Sequence, residues 1–317
     1  MLCWIVIHLI VSFQCSSSLA FSRMPSSSPI TSRTSVADSI ETGWSAVAIE
    51  TAKRMTENTR KRLKDEGVLE MIFPVRILGQ PVRKEAAESD TPPNGSAAIT
   101  KVIHFQRHGQ GFHNTITEMW RELGKPVDLD SHDPDENPLK RLELLDAPLT
   151  EVGRRQCLAR QAHAARLQPE ILIVSPLLRT LQTAELSWRD HTSLPWVAHE
   201  GCREDLGVLI CNQRQERAHI ASQYPKVDFS LLVSDEDSLF LPHRHETGLE
   251  KSQRIYDFLL YLRDLPQHEI AVVTHSAWLF HMCNAVMEIA DDDLSSWFLT
   301  SEIRSLQVTF SPRNGFH

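Results

Sequence analysis

Residues Thr100–Asn114 read TKVIHFQRHGQGFHN. The first seven, Thr100–Gln106, have the β-branched and aromatic make-up of a strand. The residues that follow the stretch, Thr115–Leu123 (TITEMWREL), read as a helix. A guanidinium, two imidazoles, two glycines and two amides therefore crowd into Arg107–Asn114, where a strand hands over to a helix. In an open α/β sheet that is the carboxyl end of a strand, where ligands bind.

The rest of the chain repeats this alternation. Thr150–Leu167 reads as a helix with Thr150 as N-cap, and Pro169–Val174 (PEILIV) as a short apolar strand. Ser175, followed by Pro176, has the pattern of a helix cap and first position, and the helix runs to about Trp188. Leu194–Ala198 is a further candidate strand; Glu246–Arg263 reads as a helix, Glu269–Thr274 as a strand, Ala277–Met287 as a helix and Glu302–Phe310 as a final strand. Strands separated by helices of this length predict a three-layer α/β/α fold with a mainly parallel central sheet. Upstream, Trp44–Glu66 reads as a helix, and residues 84–98 (KEAAESDTPPNGSAA) as a polar linker. The domain organisation expected is thus a helix and linker over residues 41–98 and a compact domain over 99–317. Pro126–Pro138 (PVDLDSHDPDENP) is an acidic loop whose spacing fits no EF-hand, so no metal is expected there.

Three strand-to-helix junctions carry unusual residues: Gln106-Arg107-His108-Gly109, Ser175–Thr180 with Arg179, and Val273-Thr274-His275-Ser276. A single strand-end His or Arg is ordinarily a hydrogen-bonded structural residue. Three equivalent junctions in a parallel sheet, however, lie on one edge, so Arg107, His108, Arg179 and His275 converge. Two arginines with bidentate donors and several helix-start amides make a pocket for a phosphate dianion.

With these blocks in place the chain resembles the histidine phosphatase superfamily, in the branch that includes cofactor-dependent phosphoglycerate mutases. The resemblance covers roughly residues 102–310. It rests on Arg107-His108-Gly109 with Asn114, on DAPLTEVGRRQ (Asp146–Gln156), SPLLRTLQTA (Ser175–Ala184), CREDLGV (Cys202–Val208) and VTHSAWL (Val273–Leu279). The segments CNQR (Cys211–Arg214), YPKVDFS (Tyr224–Ser230) and RHET (Arg244–Thr247) look most like the phosphomutase-like phosphatases of fungi and plants. The resemblance implies catalysis by His108 and Glu204, phosphate binding by Arg107, Asn114, Arg179 and His275, and neither a metal nor another cofactor. Glu200 and Asp205 flank Glu204 and compete for the acid role. Phe112, His113 and Trp120 offer stacking surface or packing, and His243 and His245 are read as loop residues.

The chemistry expected is attack by an unprotonated His108 nitrogen on phosphorus, kept nucleophilic by the neighbouring arginines and oriented by a backbone carbonyl. Mutases that this chain resembles clamp their substrate with a basic insertion after the acid segment. Here Arg214 and Arg217 are followed by the acidic Asp235-Glu236-Asp237. That departure favours a metal-independent phosphomonoester hydrolase acting on a small phosphorylated metabolite. Phosphoglycerate mutase-type transfer and a non-catalytic phosphate-binding module are the alternatives.

Composition sets outer limits. The 317 residues are 41% apolar and 23% charged, as in a soluble globular protein. Net charge is −8, and residues 1–37 hold Arg23 and Arg33 without an acid, which leaves −10 on the rest. A nucleic-acid partner is therefore not expected. Residues 1–20 (MLCWIVIHLIVSFQCSSSLA) resemble a signal peptide with an apolar run too short to span a bilayer, so no membrane span is expected in the mature protein. Residues 21–40 are Ser-rich and Arg-bearing, like a transit segment. Together they resemble a bipartite plastid presequence; secretion, or a cytoplasmic protein without a leader, is the alternative. Cys157, Cys202, Cys211 and Cys283 show no zinc spacing and are expected as free, mostly buried thiols.

Overall fold

The computed structural model describes residues 44–82 and 98–313. The signal-like and transit-like segments lie outside the described residues. Helix α1 (Ala46–Asp65) precedes strand β1 (Val75–Pro81), and β2 (Ile99–Arg107) leads into α2 (Phe112–Glu122). Then come α3 (Glu151–Ala164), β3 (Ile171–Val174), α4 (Leu178–Ser187), β4 (Trp196–Ala198), α5 (Arg217–Gln223) and β5 (Val227–Asp228). The chain finishes with α6 (Gly248–Asp264), β6 (Glu269–Thr274), α7 (Ser276–His281), α8 (Asp292–Ser295) and β7 (Ile303–Pro312).

The sheet order is β1-β7-β2-β6-β3-β4-β5. The pairs β2–β6, β6–β3, β3–β4 and β4–β5 are parallel, and β7 runs antiparallel to both β2 and β1. The mainly parallel sheet is thus as expected. Side-chain alternation splits the core between two faces. Ile171, Ile173, Ile270 and Val272 pack with Phe258, Leu259, Trp278 and Leu279 of α6 and α7. Leu172, Val174, Ala271 and Val273 pack with Ala164, Leu181 and Ala184 of α3 and α4. Helices cover both faces, which is why these central strands are apolar throughout.

Register brings the junctions level. Arg107 of β2 pairs with Thr274 of β6, and Val273 of β6 with Val174 of β3. The next residues, His108, His275 and Ser175, therefore leave the sheet at one edge.

Two expectations need correction. The compact fold does not begin near Ile99: β1 pairs along its whole length with β7, from Val75 opposite Pro312 to Pro81 opposite Leu306. Its Ile77 and the preceding Phe73 are buried in the main core, and Leu63 and Val68 pack against Phe280. Trp44 Nε1 also donates to Thr300 O at 2.7 Å. Nor does Ser175 cap a helix: α4 starts three residues later, and the buried Asp146 accepts the Leu178 N–H at 2.8 Å. A smaller difference concerns the helix expected at Ala277–Met287, which is α7 followed by a π-helical turn over Met282–Val286. Among the described residues no helix is long and apolar enough to cross a membrane. The four cysteines there are free and buried.

A chain starting at Ala98 would lose the edge strand and six buried apolar side chains, of which Leu63, Val68, Phe73 and Ile77 are each worth roughly 1.5–3 kcal/mol. That loss rivals the usual stability margin of about 5–15 kcal/mol. Such a chain is expected to be insoluble or to melt far below the full-length protein, as read by circular dichroism.

Candidate active site

The turn after β2 is held from both sides by backbone. His108 N donates to Thr274 O at 2.9 Å and its carbonyl accepts from Ser301 N at 3.0 Å. Gly109 and Gly153 let this turn lie directly on the first turn of α3. A Cβ on Gly109 would sit 2.6 Å from Gly153 O, and one on Gly153 would sit 2.1 Å from Gln110 O. Thr150 caps α3 by accepting the Gly153 N–H at 3.0 Å, as its position predicts.

His108 is buried, and its Nδ1 lies 2.6 Å from Gly109 O. A carbonyl oxygen only accepts, so Nδ1 carries the proton and Nε2 keeps a lone pair. Burial, then Arg179, His113 and Arg107, hold its pKa well below the usual imidazole value. His275 is buried with its ring centroid 5.2 Å from that of His108, and its Nε2 lies 2.8 Å from Ser175 Oγ. This is what occupies the hydroxyl expected to cap α4. Burial and Arg179 keep His275 neutral as well.

The two arginines are buried charges tied to carbonyls. Arg107 Nη1 donates to Phe298 O at 2.7 Å. Arg179, the second residue of α4, donates to Cys211 O at 2.7 Å and to Asn212 Oδ1 at 2.8 Å. Burial depresses both guanidinium pKa values, Arg107 to about 10, and both stay charged at neutral pH. Arg107 Nε, Arg179 Nε, His113 Nδ1 and His275 Nδ1 are buried and make no hydrogen bond within the protein. The two guanidinium Nε–H groups are certain donors left unspent beside His108, which fits an anion.

Asn114 sits in the first turn of α2, where its Oδ1 accepts the Gly111 N–H at 2.9 Å. It therefore caps the helix and keeps only its NH2 for a ligand. His113, ring centroid 5.4 Å from His108, belongs to the same cluster. Burial, Arg179 and Arg107 keep His113 neutral. Trp120 is buried and stacks under Lys125 rather than facing His108.

The acid segment separates its carboxylates by partner. Glu200 binds Arg203 and Arg214, each at 3.0 Å, and Asp205 pairs with Lys251. Glu204 accepts only backbone N–H groups, from Asp205 at 3.2 Å, Trp278 at 3.1 Å and Ala277 at 3.3 Å. Burial, then the neighbouring Asp205 carboxylate, push its pKa up. Of the three candidates Glu204 alone remains uncommitted to a cation.

Arg203 and Arg214 form a clip with the acidic stretch behind them. Arg203 binds Asp237 through two contacts of 2.7 and 2.6 Å, and Arg214 donates to the carbonyls of Gln215, Ser234, Asp235 and Glu236. Arg217 donates to Leu232 O at 2.9 Å. His243 is exposed, and His245 lies 3.1 Å from Leu129 O in the loop. Pattern alone missed Asp146 and Asn212. Asp146 takes a left-handed φ of 45° to cap α4, and burial pushes its carboxyl up to about 6. Asn212 bridges Arg179 to the acid segment through Nδ2 and Asp205 O at 3.0 Å.

Neutral imidazoles beside two buried guanidiniums, on the carboxyl edge of a parallel sheet, make an α/β protein whose site suits an anion. A family model described as the histidine phosphatase superfamily (branch 1) matches residues 137–311, which hold Arg179, Glu204 and His275 and follow Arg107 and His108. The chain belongs to that superfamily. The Arabidopsis thaliana protein "Phosphoglycerate mutase-like protein 1" is 32% identical over 243 residues, covering 66% of this chain and 81% of the relative. A Schizosaccharomyces pombe protein named "Probable phosphatase" is 27% identical, covering 57% of this chain and 76% of its own. Among solved structures, mycobacterial glucosyl-3-phosphoglycerate phosphatase is 21% identical, with a TM-score of 0.40 over 66% of this chain and 90% of that one.

Asp237→Ala would leave the Arg203 charge buried without its main partner. A loss of about 3–5 kcal/mol in unfolding free energy is expected from such a break, measured by urea denaturation.

Proposed function

We propose that the protein is a phosphomonoester hydrolase working through a phosphohistidine on His108, with Glu204 as proton donor. The observation that carries this is the tautomer of His108: Nδ1–H bound to Gly109 O leaves Nε2 as a nucleophile between Arg107 and Arg179. The Nε2 lone pair attacks phosphorus, the P–O ester bond breaks, and the departing oxygen takes the proton of Glu204. Water then attacks the phosphohistidine and gives its proton to the Glu204 carboxylate. The P–N bond breaks and inorganic phosphate leaves. Arg107, Arg179, His275 and the Asn114 amide hold the equatorial oxygens in the loose transition state. The arginines meet the phosphoryl charge, so the step is written without a metal ion.

Hydrolysis rather than transfer is supported by the clip. Arg203, Arg214 and Arg217 are spent on Glu200, Asp237 and backbone carbonyls, which leaves no basic insertion to retain a substrate during turnover. The mutase-like name of the Arabidopsis relative keeps phosphoryl transfer as the competing outcome.

Phosphate release from p-nitrophenyl phosphate and a metabolite panel, with chelator present, tests the proposal. His108→Ala is expected to lose at least about three orders of magnitude. Equal activity of the two proteins, or isomerised phosphoester without free phosphate, overturns it.

Glu204→Gln gives a second test. With alkyl phosphates, kcat is expected to drop roughly 10²-fold, and with the p-nitrophenyl ester, whose leaving group needs no proton, far less. Because the Glu204 pKa is raised and its protonated form is required, wild-type activity on alkyl esters should fall as pH rises through that pKa. The Gln variant should lack this limb. A limb of the same shape in both proteins would rule Glu204 out as the acid.

A further inference from the structure

Helix α2 brings a solvent-exposed carboxylate, Glu118, into the field of Arg107. Asn114 and Glu118 are one turn apart and share a face of the helix. Gln110, two residues past His108, reaches Glu118 Oε2 with its Nε2 at 3.5 Å, and its Oε1 accepts from Thr150 Oγ1 at 2.8 Å. Glu118, exposed on its helix, is thus at the edge of hydrogen-bonding reach of that turn and lies within the field of Arg107. Arg121 and Glu122, the charges nearest to it on its own helix, are both exposed and offset one another.

Past the phosphate, the basic side chains that flank the acid segment are already engaged. Lys140 Nζ donates to Val208 O at 2.8 Å, Lys251 pairs with Asp205, and Arg254 pairs with Glu246. Arg203 and Arg214 belong to the clip. Glu204 and Glu118 both lie within the field of Arg107, so an ester held by that guanidinium has both carboxyl groups in its surroundings. With Glu204 protonated as the acid, a second anion on the leaving group would face the Glu118 carboxylate, with no uncommitted cation from the acid segment to receive it.

We propose that the site selects phosphomonoesters whose leaving group is uncharged or cationic over those bearing a second anion, with Glu118 as the discriminating residue. In its kinetic form the proposal rests on the hydrolase reading; in its binding form it does not. Selection here acts by repulsion of the wrong partner, a specificity device independent of tight contact with the right one.

Glycerol 3-phosphate, phosphoethanolamine and 3-phosphoglycerate are close in size and differ in charge beyond the phosphate. Two readouts apply to the full chain: kcat/KM for each ester, and the Kd of each measured calorimetrically on His108→Ala. The first two esters are expected to exceed 3-phosphoglycerate by about tenfold or more in both readouts, the scale of one carboxylate–carboxylate approach near a protein surface. Glu118→Gln should narrow that ratio at least about threefold, chiefly by improving 3-phosphoglycerate. Parity or preference for 3-phosphoglycerate in the wild type, or an unmoved ratio in Glu118→Gln, overturns the proposal. If no ester releases phosphate, the hydrolase reading fails by itself, and the order of the Kd values still decides the charge selection.

Discussion

Two guanidinium groups buried at one edge of a parallel sheet set the terms for everything around them. A buried charge without partners is far too costly to persist. Arg107 and Arg179 persist because Phe298 O, Cys211 O and the Asn212 amide take up their donors. The segments around residues 211 and 298, remote in sequence from either arginine, are thus obliged to deliver backbone acceptors to that edge. The same charges act outward. Burial first, and then these charges, keep His108 and His113 neutral; burial and Arg179 do the same for His275; Arg179 favours the ionised form of Glu204 against its burial; and nitrogens such as Arg107 Nε are left for an anion.

Much of this was legible in the sequence, for definable reasons. Apolar strands ending abruptly in Arg-His-Gly, Ser-Pro or Thr-His-Ser contrast sharply with their surroundings, and parallel topology alone brings such ends together. What stayed hidden depended on distant partners. VRILGQP (Val75–Pro81) becomes a strand because β7, more than two hundred residues on, offers it a ladder. Ser175 has the local pattern of a cap, yet His275 takes its hydroxyl while Asp146 supplies the cap from 32 residues upstream. Nothing local marks Asp146 for this, because its left-handed backbone is imposed by the turn it closes.

The acid segment teaches the same lesson about charge. Glu200, Glu204 and Asp205 are chemically alike, and sequence leaves them as rivals. Ion pairing separates them: two are neutralised by buried cations and one is left to backbone amides. Likewise Asp235-Glu236-Asp237 reads in sequence as a change of net charge. In the fold Asp237 completes a salt bridge to Arg203 with both partners about 1% exposed, and the stretch turns Arg214 from a ligand-binding candidate into a structural tie. Counting charges therefore misjudges what a substrate meets, whereas counting unspent ones does not.

The edge ladder between β1 and β7 also dictates an order of events during synthesis. Val75 pairs with Pro312, so β1 has no ladder partner until β7 has been made. At about 5–20 residues per second, the roughly 240 intervening residues take on the order of 10–50 seconds. Throughout that interval β1, with Phe73 and Ile77, exposes apolar surface and unpaired backbone at the ribosome. The last strand to emerge must insert between β1 and β2, so the sheet is completed from its interior outward.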